Sequence, residues 1–328
     1  MADLKARIIG TGKALPQKIL TNADLEKMVQ TTDEWIRTRT GILERRIASS
    51  AEATSDFAVT AARIALDNAK FSPLDIDLII VCTCTPDMVF PSVGCIVQSA
   101  IGASRAAAMD LSAACSGFVY GLATAKSFIE SGMYKVILLI GTDTLSKITN
   151  WEDRSTCVLF GDGAGAAILS AQKGESGILS VYLGSDGTRS DILKVPGGGS
   201  RAPLCADVLN SKSHTIHMDG QEVYKMAVEN MVAASQQALA LAHLTQEDLK
   251  IIIPHQANLR IINSVAKRLN IKEDKVFVNL QKYGNMSAAT TIIALDEAQK
   301  SGVISQGDVV ELVAFGAGLT WGAAIIRW

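Results

Sequence analysis

The chain has 328 residues, 48% of them hydrophobic and 20% charged, which is material for one large core or two fused ones and leaves no stretch with a disordered composition. A net charge of −2 gives no sequence-independent attraction to nucleic acid, and no block of like charge or apolar run of spanning length points to a membrane. The opening MADLKARIIGTG has neither the apolar core of a signal peptide nor the Arg/Ser bias of a transit peptide, so a cytoplasmic location is expected. Six cysteines without CxxC spacing or neighbouring histidines read as reduced thiols, and no metal site is expected.

In chain order, a strand is predicted over 7–10, helices after the Thr21 and Thr32 caps, and a helix over about 55–68, each helix combining a Ser/Thr cap with a helical apolar period. The apolar run in FSPLDIDLIIVCTCTPD is strand-sized. DLSAACSGFVYGLATAKSFIESG then reads as a strand end, a sharp turn at Cys115 and a helix, followed by the strand VILLIG. GDGAGAA lacks the GxxxxGK[ST] of a phosphate loop and is expected to be a tight turn that lets backbones approach. The polar joint AQKGESG separates two halves, 1–172 and 173–328, expected to form one fused body. The stretch 184–220 carries too much glycine and proline for a regular element and is expected to be a lid or tunnel wall. A helix over 220–242, a strand over 251–254, a helix over 259–269 and strands over 309–315 and 322–327 complete the chain.

The two halves repeat one pattern. Aligning them puts Thr83 opposite His255 and, with a two-residue gap, Cys115 opposite Asn285, each at the loop of a strand, loop and helix unit. Strands alternating with helices give an α/β fold with a mixed sheet in each half, and a pseudo-twofold would bring the equivalent loops together near its axis. The helices after Cys115 and Asn285 are rich in small residues (Gly117, Gly121, Ala123, Ala125; Ala288, Ala289, Ala294) and are expected to lie between the sheets as a buried layer. Cys115, His255 and Asn285 would then share one pocket. A thiol at a helix start has its thiolate stabilised by the dipole and free N–H groups, which suits a nucleophile; the other five cysteines are expected to be buried and structural. His255 is the only one of four histidines at the carboxyl end of a strand.

SAACSG around Cys115, PHQANLRII around His255, YGNMSAA around Asn285, GDGAGAA, DEWIRTRTGI and FGAGLTWG together resemble the β-ketoacyl-acyl carrier protein synthase III family, essentially end to end. The resemblance implies the thiolase fold, two similar mixed-sheet halves in a five-layered αβαβα body, a homodimer, and decarboxylative condensation of a short acyl-CoA primer with malonyl-acyl carrier protein, without a cofactor. It implies Cys115 as the acylated nucleophile and His255 with Asn285 as donors to the malonyl thioester oxygen. The Cys115 N–H and a second amide at Ala317 would form the oxyanion site. Trp35, Arg39 and Arg154 resemble the residues that hold CoA, and Phe90 one that caps the acyl pocket from the partner subunit. A basic dock for the acidic carrier is expected from Lys225, Arg260, Lys267 and Arg268, because Arg260 follows closely on His255 and shares a helix face with Lys267. No cysteine follows Cys205, as a thiolase would need, and no histidine follows His255, as an elongating ketosynthase would need. The remaining alternatives are a Cys-His-Asn condensing enzyme using CoA substrates alone, of polyketide or quinolone type, and a non-catalytic acyl-binding subunit.

Overall fold

The computed structural model describes residues 4–328. Its core is two mixed sheets with the same strand plan. In the first, Leu4–Ala14, Asp162–Lys173, Val136–Thr144, Leu78–Cys82 and Ala107–Leu111 lie side by side in that order. Leu78–Cys82 is parallel to both of its neighbours, and Asp162–Lys173 is antiparallel to both of its own. In the second, Gly177–Ser185, Thr320–Arg327, Val309–Gly316 and Ile251–Pro254 repeat the order and directions. The place of the fifth strand is held by a single parallel bridge, Ile252 to Val276.

The apolar runs are continuous because both faces of these strands are covered. Along Leu78–Cys82, Ile79 and Val81 face the outer helices Thr54–Ala69 and Val93–Ile101, whereas Leu78, Ile80 and Cys82 face the middle of the molecule. There they meet Phe118, Leu122 and Ile129 of the helix Gly117–Glu130 and Ile292 and Leu295 of the helix Ala289–Lys300, which also touch Ile253 and Leu312 of the second sheet. The small-residue helices are thus the buried middle layer. Helices Gly220–Leu241 and Leu259–Arg268 cover the outer face of the second sheet, completing five layers, αβαβα. No helix among the described residues is long and apolar enough to cross a membrane.

The predicted elements agree closely with those observed, including the Thr21 and Thr32 side-chain caps and the strand Ile251–Pro254. Two expectations need correction. GDGAGAA is not a turn but the entry into the buried strand Asp162–Lys173, and its glycines serve close approach: a Cβ on Gly165 would lie 2.5 Å from Ile292 Cγ2. The stretch 184–220 does contain regular pieces, the helical turn Ala206–Asn210 and a two-residue ladder pairing Leu193–Lys194 with His217–Met218. Elements this short have no periodicity to read.

Candidate active site

A cavity of about 870 Å³ opens where the two halves meet, and Cys115, His255 and Asn285 all line it. Each reaches it from the loop position expected of the repeat. Cys115 sits in the helical turn Ala114–Ser116, between the strand Ala107–Leu111 and the helix Gly117–Glu130. Ala114 takes a left-handed φ of 45°, a strained conformation of the kind that functional turns retain. His255 leaves the strand Ile251–Pro254, its N–H donating to Val313 O at 2.8 Å. Asn285 is gripped through its backbone: its N–H donates to Leu159 O (2.8 Å) and its carbonyl accepts from Gly161 N–H (2.9 Å).

Side-chain contacts determine which atoms remain for chemistry. The Ser287 N–H donates to Asn285 Oδ1 at 2.8 Å, so the Asn285 carboxamide is held by its oxygen and its NH₂ is left for the cavity. His255 is only 4% exposed, and its Nδ1 lies 2.6 Å from Thr290 Oγ1. Burial pushes the imidazole down to about 3, so the ring is neutral at physiological pH. Burial also drives the Cys115 thiol up to about 12, opposed by hydrogen bonding to Ser287 and reinforced by the Asp143 carboxylate. Desolvation thus works against the thiolate that the helix start is expected to favour.

The second amide of the expected oxyanion site is close at hand. A Cβ on Gly316 would lie 2.7 Å from Cys115 N, so only glycine lets the end of strand Val309–Gly316 come against the nucleophile's turn. Thr320 Oγ1 ties the two loops, contacting Ala113 O (3.0 Å) and Ala317 O (3.1 Å), with Ser116 Oγ at 2.7 Å. Ala317 lines the cavity. Among the described residues its N–H donates to no backbone carbonyl.

At the outer end, the guanidinium carbons of Arg39 and Arg154 lie 5.9 and 5.2 Å from the Trp35 ring centroid, and Trp35 and Arg39 line the cavity. Arg260 lines it too, over Tyr224 at 5.7 Å, whereas Lys225, Lys267 and Arg268 are exposed outside it. Leu193, Val195, Ile216 and Met218 form one wall, which is the part the stretch 184–220 takes in the site. Phe90 is 82% exposed beside exposed Val89 and Met88 and lines no part of this chain's cavity, so packing into its own core is ruled out. Cys84, Cys95 and Cys205 are exposed, which corrects the expectation that all five remaining cysteines are buried; Cys82 and Cys157 are.

Sequence reading missed Asp143. It is fully buried, and its Oδ1 accepts from Thr83 Oγ1 (3.0 Å), Cys84 N–H (2.8 Å), and the Thr85 N–H and hydroxyl (3.1 and 2.9 Å). Ala288 N–H approaches Oδ2 at 3.4 Å, so one carboxyl group joins the loop after Leu78–Cys82 to the loop carrying Asn285. The signal was an acid in the TDT that follows the apolar run VILLIG.

Comparison with known proteins shows the family. Residues 109–187 match the family model for 3-oxoacyl-[acyl-carrier-protein] synthase III, and residues 239–328 match the model for its C-terminal part. The chain is 57% identical over 325 residues to the curated β-ketoacyl-[acyl-carrier-protein] synthase III of Caldanaerobacter subterraneus subsp. tengcongensis, covering 99% of this chain and 98% of that one. It is 53% identical over 326 residues to the enzyme of that name from Clostridioides difficile, covering 99% of each. The crystal structure of 3-oxoacyl-[acyl-carrier-protein] synthase III from Aquifex aeolicus VF5 superposes with a TM-score of 0.92 at 48% identity, covering 98% of this chain and all of that one. On this footing the chain belongs to the β-ketoacyl-[acyl-carrier-protein] synthase III family, condensing acyltransferases of the thiolase fold.

Proposed function

We propose that this chain condenses a short acyl group, delivered by CoA, with malonyl-acyl carrier protein, giving β-ketoacyl-acyl carrier protein, CoA and CO₂ and so initiating fatty acid synthesis. The observation that carries the reading is the convergence of Cys115, His255 and Asn285, from the two halves 1–172 and 173–328, on one cavity. In this scheme Trp35, Arg39 and Arg154 hold the adenine and phosphates of CoA by stacking and charge. The Cys115 sulfur attacks the thioester carbonyl. The C–S bond to CoA breaks as the new one forms, and the proton given up by the Cys115 thiol ends on the departing CoA sulfur.

Malonyl-carrier then enters the acylated site. As CO₂ leaves, negative charge gathers on the malonyl thioester oxygen, where His255 Nε2–H and the Asn285 NH₂ donate; one such preorganised donor is worth roughly 3–4 kcal/mol. The carbanion attacks the acyl carbonyl on Cys115, whose oxyanion is taken by the Cys115 and Ala317 N–H groups, and the thiolate is expelled. No step calls for a cofactor or metal. Lys225, Arg260, Lys267 and Arg268 receive the acidic carrier in this reading. The exposed Met88-Val89-Phe90 loop meets a second copy, whose Phe90 caps the acyl pocket, in a cytoplasmic homodimer.

The test is intact-mass spectrometry after mixing with acetyl-CoA. The wild-type chain should gain one acetyl group and Cys115→Ser none, since a serine hydroxyl with no base beside it forms no comparable nucleophile. An adduct on the variant at wild-type rate would remove Cys115 as the nucleophile. Acylation without turnover of malonyl-carrier would favour condensation between CoA thioesters.

A further inference from the structure

We propose that the Thr290 hydroxyl is a positioning group that sets the tautomer of His255, donating to Nδ1 so that the ring's single proton stands on Nε2, toward the cavity. The consequence for turnover rests on the condensation reading above; the hydrogen-bond geometry does not.

His255 is 4% exposed and, among the described residues, has no carboxylate partner to compensate a charge on the ring. A neutral imidazole has one N–H and one bare nitrogen, and which is which follows from the partner each nitrogen has. Among the described residues the only side-chain partner of the ring is Thr290 Oγ1, 2.6 Å from Nδ1. Thr290 is fully buried in the first turn of the helix Ala289–Lys300. Its hydroxyl has one proton and two acceptors within reach, His255 Nδ1 and, at 3.0 Å, Ser287 O.

One feature directs that proton to the ring: Ser287 O already accepts from the Thr290 N–H at 3.2 Å, whereas among the described residues Nδ1 has no other donor. With Nδ1 accepting, Nε2 must carry the hydrogen. The opposite tautomer would present a bare lone pair to the cavity, directed at the oxygen where the condensation reading places developing negative charge. A residue that never touches substrate would thus decide whether His255 attracts or repels that oxygen.

The experiment uses the full-length protein, Thr290→Val, which keeps the branched shape and loses the donor, and Thr290→Ser, which keeps the donor. Nitrogen NMR of ¹⁵N-histidine-labelled protein reads the His255 tautomer, with Asn and Gln variants of His255 assigning the signal. Acylation by acetyl-CoA and CO₂ release from malonyl-carrier are timed separately. Wild type and Thr290→Ser should show a protonated Nε2 and a bare Nδ1. Thr290→Val should acylate close to the wild-type rate and release CO₂ about a hundredfold more slowly, the scale of losing one oxyanion donor, with Thr290→Ser recovering most of it. A wild-type spectrum with the proton on Nδ1 would overturn the proposal, as would unchanged CO₂ release in Thr290→Val. Loss of both half-reactions alike would also overturn it, by leaving Thr290 only a packing role. A wild-type protein that showed the Nε2 proton but released no CO₂ from malonyl-carrier would support the tautomer and overturn the condensation reading instead.

Discussion

Glu311 is a buried acid the proposed chemistry does not use, and it gives a stability prediction with a definite sign. It sits on strand Val309–Gly316, fully buried, between Ile252 and Ile325 of the neighbouring strands. Neither carboxyl oxygen has a hydrogen-bond partner among the described residues. Burial pushes its carboxyl up to about 7, with only the Ser235 hydroxyl opposing. In the unfolded chain the group ionises near the ordinary glutamate value of 4.5, so above that pH the unfolded state releases a proton that the folded state retains. The fold is therefore unburdened in acid, loses stability as pH rises from about 4.5 to 7, and carries a constant penalty above that. The gap of 2.5 pH units between those values is worth about 3 kcal/mol. Glu311→Gln cannot ionise and escapes the penalty. In urea titrations across the pH range, the stability of the variant minus that of wild type should rise by about 2–3 kcal/mol between pH 5 and pH 8. Parallel pH profiles for the two proteins would refute the reasoning, and so would a variant whose disadvantage grew with pH.

Reversing charge at Arg260 and Lys267 together should raise KM for malonyl-carrier about tenfold at low salt, an effect that fades as salt is added, while acyl-CoA loading hardly changes. Equal damage to both substrates would move the dock elsewhere. Trp35→Ala removes the ring that Arg39 and Arg154 flank, and should raise KM for acetyl-CoA about tenfold without altering the rate with acetyl-pantetheine, which lacks the adenine. A matching loss with the truncated thioester would mean that the indole serves folding rather than nucleotide binding.

Much of the scaffold was legible because burial on both faces leaves continuous apolar runs. Ile251–Pro254 and VILLIG are legible as strands in the sequence, and the Thr21 and Thr32 caps mark their helices. The repeat carried the site, because equivalent loops in duplicated halves fall at equivalent places, which is why Cys115 and Asn285 could be paired. What escaped depended on distances across the repeat. Asp143 matters through donors at Thr83 to Thr85 and Ala288, and Thr290 through a ring thirty-five positions away, contacts that leave no local pattern. The desolvation of Cys115 escaped for the same reason. A helix start is visible in sequence, whereas the desolvation that opposes it is a property of the assembled cavity. The glycines of GDGAGAA announced close approach but not to what, since Ile292 lies on the other half.

The central claim is a division of labour, with Cys115 carrying the acyl group and His255 and Asn285 stabilising the decarboxylating malonyl thioester. The most direct measurement times the two half-reactions separately in His255→Ala and Asn285→Ala: acetyl transfer to Cys115 by intact mass, and CO₂ release from malonyl-carrier by the acetylated enzyme. Each variant should acylate near the wild-type rate and release CO₂ at least about a hundredfold more slowly. A variant that released CO₂ normally, or that failed at acylation while still decarboxylating, would contradict the account.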